Sequence, residues 1–389
     1  MRIRLLRLLL LLAVASLLPG SNCGIPGFLV DADVDGDGVV TAADLAFVES
    51  CLGADVRVPP PPTDFFGCPL REPAPACAAA DVDRSGIVTA VDLARVEQRL
   101  GMQVCTGSEL LCARRFDQVV YATTHNATAA TLAPNPTSIL YANQCNGVPT
   151  QLEDGIRALM IDFHWFQPPG EPAPDLYLCH ADCNFGRQLL VEGLVEVREF
   201  LDANPGEVIA FIVETNSGTS GREAQIRDAF AASGLLPYAH VQVPGTPWPT
   251  LGEMIAANER LVVLTDDSNN SGCGLADPCP WYHYLWSSFA FETPFSVQTP
   301  AGFVCSDLRG QPGNDLFILN HFLTQNTGSP FLAKLVNFEP DLSRRARDCW
   351  EFQGQVPNFV TVDYYEFGDV LRAVELLNYL WGQTAGQWP

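Results

Sequence analysis

Basic side chains are scarce in this sequence, which leaves the chain strongly acidic. Its 389 residues contain 22 lysines and arginines against 45 aspartates and glutamates, for a formal net charge of −23. An acidic surface repels phosphate backbones and anionic headgroups, so we expect no nucleic-acid partner and no simple electrostatic docking on anionic lipid. Long apolar runs are scarce too: after residue 18 none approaches the roughly 20 residues that a membrane-spanning helix needs.

The first 21 residues have the pattern of an export signal. Three arginines among the first seven residues lead into an apolar run over 5–18, which ends at Pro19, Gly20 and Ser21. A basic start, a short apolar stretch and small residues predict a secretory signal peptide over 1–21, removed after Ala15 or Gly20. An uncleaved membrane anchor is the alternative interpretation. The sequence therefore predicts an extracellular or periplasmic protein.

The thirteen cysteines are interpreted in the light of export. In an oxidising compartment they are disulfide candidates rather than metal thiolates. Spacing suggests the pairs Cys179–Cys183, Cys273–Cys279 and Cys305–Cys349. The odd number leaves at least one thiol unpaired or bonded to another chain.

One internal repeat stands near the N-terminus, where residues 33–45 recur at 81–93. Oxygen-bearing side chains occupy loop positions 1, 3, 5, 9 and 12, and glycine occupies position 6, a spacing that wraps a hard cation in oxygens. Each loop leads into a short apolar helix pattern. We therefore expect two structural Ca²⁺ ions, with these ligands: Asp33, Asp35, Asp37, Thr41 and Asp44 in the first repeat, and Asp81, Asp83, Ser85, Thr89 and Asp92 in the second.

The repeat pair resembles the dockerin type I module, an EF-hand-like family. Each unit is a loop followed by a helix, without the entering helix, and position 12 is aspartate. The resemblance implies a calcium-binding module over 24–105. Dockerins bind cohesin domains through positions 10 and 11, which here are Ala42, Ala43, Ala90 and Val91. A cohesin-like protein partner is one implication; the interpretation we favour is that the ions only hold the module together.

From about residue 110 onward, apolar runs alternate with helical patterns. One predicted helix places Leu190, Leu194, Val197 and Leu201 on one face before a break at 204–206. The alternation predicts an α/β fold, a (β/α)₈ TIM-type barrel over 110–389, with a doubly wound open sheet as the alternative. The predicted strands are 119–122, 158–161, 176–178, 208–213, 261–264, 316–319 and 359–362.

Polar residues follow these predicted strands with unusual regularity. In a parallel barrel the carboxyl ends of all strands meet at one mouth, where active sites are built. The regularity therefore predicts an enzyme. In chain order the residues at the strand ends are His125 and Asn126, Asp162 and His164, His180, Glu214, Asp266, Asn320 and His321, and Asp363.

The residue types at the mouth predict a reaction class. His125 and His180 suit a general base and a general acid, because the ordinary histidine pKa lies near neutrality. Asn126, Asp162 and Glu214 offer oxygen ligands to Ca²⁺ or Mg²⁺. A histidine-ligated zinc site fits less well, because it would consume both acid/base groups. Base, acid and hard cation together predict phosphoryl transfer at a diester, and we assign Asp363 to orienting a catalytic histidine, the alternative being a strand cap.

Several segments resemble the phosphatidylinositol-specific phospholipase C X-domain family. They are Thr123-Thr-His125-Asn126, 151–162, Leu178-Cys-His180, 200–214 and 360–365. The resemblance implies that His125 is the general base and His180 the general acid, and that the reaction passes through a cyclic phosphate opened by water. It also implies that Asn126, Asp162 and Glu214 match the metal ligands of the calcium-dependent branch. In the calcium-independent branch an arginine stands where this chain has Asp162.

Two departures from that family matter. The calcium-dependent branch has a glutamate two positions before the aspartate, where this chain has Met160. Asp266, Glu153 or water could replace that ligand. The lysine pair that reads extra inositol phosphates is absent after the fifth predicted strand, where Asp266 and Asp267 stand. We therefore expect a phospholipid substrate at a membrane surface, without a polyphosphorylated headgroup.

Other interpretations of these residues remain open. The paired histidines could be structural, and Asp162 and Glu214 could form ion pairs with Arg157 or Arg187. His164 and His321 could line the mouth or pack in the core, and the aromatic stretch 281–291 could be a membrane-facing lip, although core packing is favoured. No role is assigned to His240 or His283.

Three functions are consistent with the sequence. The first is a phospholipase C-like phosphodiesterase. The second is a related diester hydrolase of the glycerophosphodiesterase or sphingomyelinase kind. The third is a catalytically inactive, calcium-dependent binding protein.

Overall fold

The computed structural model describes residues 31–216, 218–268, 279–325 and 328–384. The predicted signal peptide and Cys273 lie outside these residues. Within them, no helix combines the length and the apolar character needed to cross a membrane.

A small calcium-loop module precedes the main body. Its two helices are α1 (Ala42–Ser50) and α2 (Ala90–Glu97), each beginning directly after a predicted calcium loop. Each starts with a capping box, Thr41 with Asp44 and Thr89 with Asp92. The threonine hydroxyl accepts from a backbone N–H of the first turn, and the aspartate carboxylate accepts from the threonine N–H. The loop residues that were predicted to bind metal therefore also start the helices.

In the part of the chain that the structure describes, the main body contains eleven strands and eight further α-helices. The strands are β1 (Tyr121–Thr124), β2 (Ala158–Phe166), β3 (Asp175–Leu178), β4 (Gln188–Leu189), β5 (Ile209–Thr215), β6 (Leu261–Thr265), β7 (Tyr282–Tyr284), β8 (Ala290–Glu292), β9 (Arg309–Gly310), β10 (Leu316–Asn320) and β11 (Phe359–Val362). The helices are α3 (Val148–Glu153), α4 (Leu190–Ala203), α5 (Glu223–Ser233), α6 (Leu251–Ala257), α7 (Leu285–Ser288), α8 (Pro330–Val336), α9 (Asp341–Gln353) and α10 (Val370–Thr384).

The strand order identifies a barrel rather than an open doubly wound sheet. Hydrogen-bonded neighbours run β7-β6-β5-β2-β1-β11-β10-β8, all parallel, with β9 antiparallel at the edge. Except between β7 and β8, each parallel strand pairs with the next parallel strand along the chain, and β11 returns to pair with β1, which a doubly wound sheet cannot do. In the described residues the order ends at β7 and β8, which α7 joins directly. The predicted TIM-type fold is confirmed.

The predicted strand at 176–178 is present, but its predicted place in the parallel barrel is wrong, and two short barrel strands were missed. The predicted strand at 176–178 is β3, which pairs antiparallel with β2 and is not a barrel strand, because β2 extends past the barrel rim and the chain folds back on it. The strands β7 and β8 were missed because each has only three residues. They lie in the aromatic stretch 281–291, where Trp281, Tyr282 and Phe291 are buried, so this stretch is core and not an exposed lip.

The barrel strands are buried on both faces. Ala122, Leu159 and Phe211 pack outward against the helices, whereas Tyr121 and Ala158 pack into the barrel interior. Burial of both faces is the usual state of a parallel sheet. The predicted apolar face of α4 is buried as expected, at Leu190, Leu194, Val197 and Leu201.

The calcium module packs on the base of the barrel, at the amino ends of the strands. The Thr106 N–H donates to Gly206 O over 2.9 Å, and Arg84 forms an ion pair with Glu375. A Cβ on Gly206 would lie 2.7 Å from Val104 O and 3.2 Å from Gly38 Cα, so only glycine permits this approach. The first loop therefore packs at the base, whereas Cys68, between the two loops, lies beside Cys145 and Tyr364, which follow the carboxyl ends of β1 and β11.

Five disulfides lie within the described residues. The predicted pairs Cys179–Cys183 and Cys305–Cys349 are confirmed. Three further pairs are Cys51–Cys77, Cys68–Cys145 and Cys105–Cys112. Of these, Cys68–Cys145 links the segment between the calcium loops to the segment that follows β1, so it ties the module covalently to the barrel.

Asn358 acts as a buried linker beneath β1, β10 and β11. Its Nδ2 donates to Val119 O and Asp117 O, and its Oδ1 accepts from the Phe317 N–H. The side chain is fully buried, so these backbone groups have no access to water as a substitute.

Asn358→Ala should lower the free energy of unfolding by about 1–3 kcal/mol, because buried backbone groups lose their partners. The midpoint of urea unfolding at unchanged slope, without reductant, measures this. The exposed Asn184→Ala is the matched control and should stay within about 0.5 kcal/mol of the parent. Equal midpoints for the two variants would show that the linker contributes nothing.

Candidate active site

A cleft of about 140 Å³ opens at the carboxyl ends of the barrel strands. Its lining includes six of the residues predicted at the strand ends: His125, Asn126, Asp162, Glu214, Asp266 and Asn320. The barrel thus brings together residues that are far apart in sequence.

His125 is fixed by contacts on its ring edge and its ring face. Its Nδ1 lies 2.8 Å from Asp363 Oδ1, and its ring stacks on Phe322 with centroids 3.9 Å apart. Asp363 is buried, whereas His125 retains partial exposure. If Nδ1–H donates to the carboxylate, Nε2 keeps its lone pair, which is the tautomer that a general base requires.

His180 is held by a second carboxylate. Its Nδ1 lies 2.9 Å from Asp162 Oδ2. Burial lowers the pKa of His180, but the hydrogen bond and charge of Asp162, with the charges of Glu214 and Asp363, outweigh it and raise the pKa above its ordinary value. The protonated form is therefore favoured, which suits a general acid.

A pair of asparagines connects the two histidines. Asn143 Nδ2 donates to Asp363 Oδ1 over 3.0 Å, and Asn126 Nδ2 donates to Asn143 Oδ1 over the same distance. Asn126 Nδ2 also lies 3.3 Å from His180 Nε2. The chain of contacts from His125 to His180 is therefore continuous, and it fixes the position of one histidine relative to the other.

Three backbone positions at the site adopt the left-handed region that non-glycine residues rarely occupy. Asn126 has φ +47°, Ala181 has φ +59° directly after His180, and Tyr364 has φ +45° directly after Asp363. Such conformations cost about 1–3 kcal/mol each and persist where surrounding contacts enforce them. The chain turns sharply at each point, which directs the adjoining side chain into the site.

Glu214 and Asp162 lie side by side as register partners on β5 and β2. Burial, together with the charges of Asp162 and Asp266, raises the pKa of Glu214. Burial also raises the pKa of Asp266, which accepts hydrogen bonds from the N–H and hydroxyl of Thr215. The suggested ion pairs with Arg157 and Arg187 are wrong: Arg157 pairs with Glu207 at the base, and Arg187 donates to Cys183 O.

The acidic side of the cleft fits a hard cation, with few protein ligands. Asp162, Glu214 and the free Oδ1 of Asn126 supply oxygen donors, and Met160 stands in the lining without one. Glu153, suggested as a replacement ligand, pairs with Arg71 and does not line this cleft, because α3 carries it to the barrel base. Asp266 does line the cleft.

Two other histidines pack in the protein interior. His321 is buried, its Nε2 donates to Val336 O, and burial lowers its pKa to about 3. His164 is buried beside Cys179, and burial lowers its pKa too. Of the alternatives left open by the sequence, packing is therefore the correct one for both.

Sequence reasoning missed two residues of the cleft lining, Phe322 and Arg309, and a third, Asn143, that contacts the lining residue Asn126. Asn143 stands in a long connection without periodic pattern, and Phe322 follows His321 with nothing to distinguish it. Arg309 lies on the two-residue strand β9, too short for any pattern. These residues reach the cleft through tertiary pairing alone.

The two calcium loops each gather carboxylates. Asp33, Asp35 and Asp37 present oxygens within 4.8 Å of one another, as do Asp81, Asp83 and Asp92. None of them takes part in an ion pair within the described residues. Burial is the largest cause that raises the pKa of Asp33 to about 6, and neighbouring aspartates add to it. An oxygen-only donor set without a countercharge fits Ca²⁺.

Sequence comparison assigns the barrel to a family. The family model described as PI-PLC X 1 matches residues 111–378. The chain belongs to the PI-PLC X domain family. Residues 31–101 match the dockerin type I domain. Membership of the PI-PLC X family supports a phosphodiesterase of the phospholipase C type.

Relatives of the PI-PLC X domain are distant. A protein of Arthroderma benhamiae named PI-PLC X domain-containing protein 1 is 26% identical over 307 residues, covering 71% of this chain and 89% of the relative. An uncharacterized secreted protein of the same organism is 28% identical over 302 residues, covering 69% and 62%. The phosphatidylinositol-specific phospholipase C of Listeria monocytogenes is 14% identical with a TM-score of 0.45, covering 69% of this chain and 97% of that chain.

Asp162→Asn should lower the pKa of His180, because the variant removes the charge that stabilises the imidazolium. An NMR titration of the imidazole signals in EGTA measures the shift. Glu259→Gln, which removes the carboxylate beside His240, is the matched control and should leave the His180 titration in place. An unchanged His180 pKa in Asp162→Asn would contradict the electrostatic role of this pair.

Proposed function

We propose that this chain is an exported phosphodiesterase of the PI-PLC type that cleaves a phospholipid headgroup with Ca²⁺ assistance. The observation that carries the proposal is a pair of histidines, His125 in the cleft lining and His180 in contact with the lining residue Asn126. Each is held by its own carboxylate, and the two are joined through Asn143 and Asn126. The family assignment supports the same reaction class.

The two histidines divide the proton transfers. His125 Nε2 accepts the proton of a substrate hydroxyl next to the phosphate, and that oxygen bonds to phosphorus. The bond from phosphorus to the leaving oxygen breaks as His180 Nε2 supplies a proton to that oxygen, which yields a cyclic phosphate and a free alcohol. If water then opens the ring, His180 takes the water proton and His125 returns one to the ring oxygen.

Asp363 and Asp162 keep this division fixed. Asp363 orients the His125 ring and stabilises the imidazolium formed after proton uptake. Asp162 raises the pKa of His180 and so keeps a proton ready for donation.

Asn126, Asp162 and Glu214 would hold the catalytic Ca²⁺, with Mg²⁺ as the alternative ion. A hard cation there supplies stabilisation of charge on the phosphoryl oxygens. Because Met160 offers no carboxylate, we expect weaker binding than in a site with a full set of acidic ligands.

The dockerin-like module holds two structural Ca²⁺ ions in this proposal. Asp44 and Asp92 are fully buried without a basic partner, and the first loop packs on the barrel base near Gly206. A cohesin-like partner finds only small apolar side chains at the exposed recognition positions, Ala42, Ala43, Ala90 and Val91. The role that we favour for the two Ca²⁺ ions is therefore to stabilise the module itself.

Export and the choice of lipid rest on separate observations. The signal-like residues 1–21 and a relative named as a secreted protein support export. The acidic residues Asp266 and Asp267 after β6 disfavour extra phosphates on the headgroup. The substrate class is therefore phosphatidylinositol or a similar phospholipid.

Purified protein should convert phosphatidylinositol to a cyclic phosphate product, measured by ³¹P NMR. His125→Ala and His180→Ala should each lower kcat by about 10²–10⁴-fold, because each removes a proton-transfer group. His240→Gln is the matched control, because this histidine contacts Glu259 and Gln242 and lies outside the cleft.

A substrate panel with glycerophosphodiesters and sphingomyelin distinguishes the related hydrolases. No turnover of any diester, combined with intact calcium-dependent binding, would overturn the proposal in favour of an inactive binding protein. An equal loss of kcat in His240→Gln would show that the histidine variants lower activity by disturbing the fold.

The effects of Ca²⁺ at the barrel site and in the loops can be distinguished with one double variant, Asp33→Ala with Asp81→Ala. We expect calorimetry to show the loss of the two loop ions, while turnover still falls when EGTA is added, because the barrel site keeps Asn126, Asp162 and Glu214. Asp37→Asn, which keeps an oxygen ligand, is the milder control. Turnover unaffected by EGTA in the parent would rule out an essential barrel Ca²⁺.

A further inference from the structure

Apart from His125, the ionisable side chains that line the cleft are almost all acidic. Asp162, Glu214, Asp266 and Glu292 line it, and Arg309 is the one arginine or lysine in its lining as far as the structure is described. A phosphodiester is itself an anion, so a wholly acidic cleft would oppose its entry. Beside protonated His180 and the cation of the proposed function, Arg309 is therefore the basic side chain of the lining whose charge is complementary to the substrate.

The backbone of β9 sets the position of Arg309. In the antiparallel pair of β8 and β9, Arg309 stands opposite Glu292. A Cβ on the next residue, Gly310, would lie 2.1 Å from Ala290 O, and Gly310 has φ +77°, so glycine is required for this close approach. The short strand thus brings Arg309 to the cleft wall.

The side chain of Arg309 is held at one end and free at the other. Its Nε donates to Glu292, which is buried and accepts a second hydrogen bond from Asn320 Nδ2 over 3.0 Å. The guanidinium lies over two rings, with centroid distances of 4.5 Å to Trp286 and 4.9 Å to Phe295. Stacking and the Nε bond restrict its rotation.

The two terminal nitrogens of Arg309 make no hydrogen bond to any residue that the structure describes, and the side chain is 42% exposed. Burial raises the pKa of Glu214 and of Asp266, and the charge of Arg309 partly offsets this in both. The charge of Arg309 therefore reaches the candidate metal ligand Glu214 and the neighbouring Asp266. A planar fork with two free donors matches two oxygens of one phosphate group.

We propose that Arg309 binds the phosphate of the substrate, its two terminal N–H groups donating to non-bridging phosphoryl oxygens. This inference rests on the proposed function. A purely structural role, as counterion of Glu292, would need only Nε. It would leave the two terminal nitrogens of the guanidinium without a function. The stacked, half-exposed fork is preorganised for an anion, so little side-chain entropy is lost on binding.

The test compares Arg309→Gln and Arg309→Lys with the parent in phosphatidylinositol turnover, with calcium and with EGTA. Arg309→Gln should lower kcat/KM by about 10–100-fold, the usual effect of losing a charge-assisted bidentate contact. Arg309→Lys should recover part of the loss, because it keeps the charge but not the fork. Inorganic phosphate, as competitive inhibitor of the parent, should bind correspondingly more weakly to Arg309→Gln.

Two further variants separate binding from folding. Arg222→Gln removes an arginine that also stacks on an aromatic ring, Trp165, but that does not line the cleft, and it should keep parental kcat/KM. Arg309→Gln with Glu292→Gln avoids leaving a buried carboxylate alone, and should keep the weak phosphate inhibition while recovering thermal stability.

The possible failures are distinguishable. A parent without turnover of any diester would overturn the proposed function. An active parent whose kcat/KM and phosphate inhibition are unchanged in Arg309→Gln would overturn the role of Arg309 alone. Recovery of both quantities in the Gln/Gln double variant would assign Arg309 to neutralising Glu292, and would also overturn the proposal.

Discussion

The parallel pairing of β1 with β11 is the constraint on which the site depends. These strands lie more than 230 residues apart in sequence, yet their register places His125 Nδ1 2.8 Å from Asp363 Oδ1. The His125 N–H continues the ladder to Val362 O. Asn358 satisfies the backbone groups at the lower end of the same strands. The pairing that closes the strand order therefore also fixes the first histidine and its carboxylate.

A second pairing, between β2 and β3, supplies the other half of the site. Because β2 continues past the barrel rim and β3 returns antiparallel beside it, His180 comes back to within 2.9 Å of Asp162. Asn143 and Asn126 then connect the two halves. The two histidines are thus held by different strand pairs. The amide side chains of Asn143 and Asn126 fix the position of one histidine relative to the other. Arg309 on β9 adds a positive charge to this otherwise acidic cleft.

The opposite ends of the barrel serve different purposes. The base is closed by side-chain packing and by the calcium module, whose contact at Gly206 tolerates no side chain. The mouth is left to polar residues, several of which adjoin strained backbone. The barrel fold permits this division because its two faces are separated by the core.

Local patterns in the sequence were enough to determine the two loop–helix repeats, the parallel strands of four or more residues, the apolar face of α4 and the polar residues at the strand ends. These signals survive because side-chain periodicity and ligand spacing act over short stretches. The direction of β3, the short strands β7, β8 and β9, and the cleft residues Asn143, Arg309 and Phe322 were decided by the tertiary structure alone. They depend on pairing between distant segments, which leaves no periodic trace in three or fewer residues. Arg157 is a further example of a partner that the sequence could not predict. Its charge suggested a partner at the mouth, but the register of β2 places it at the base beside Glu207.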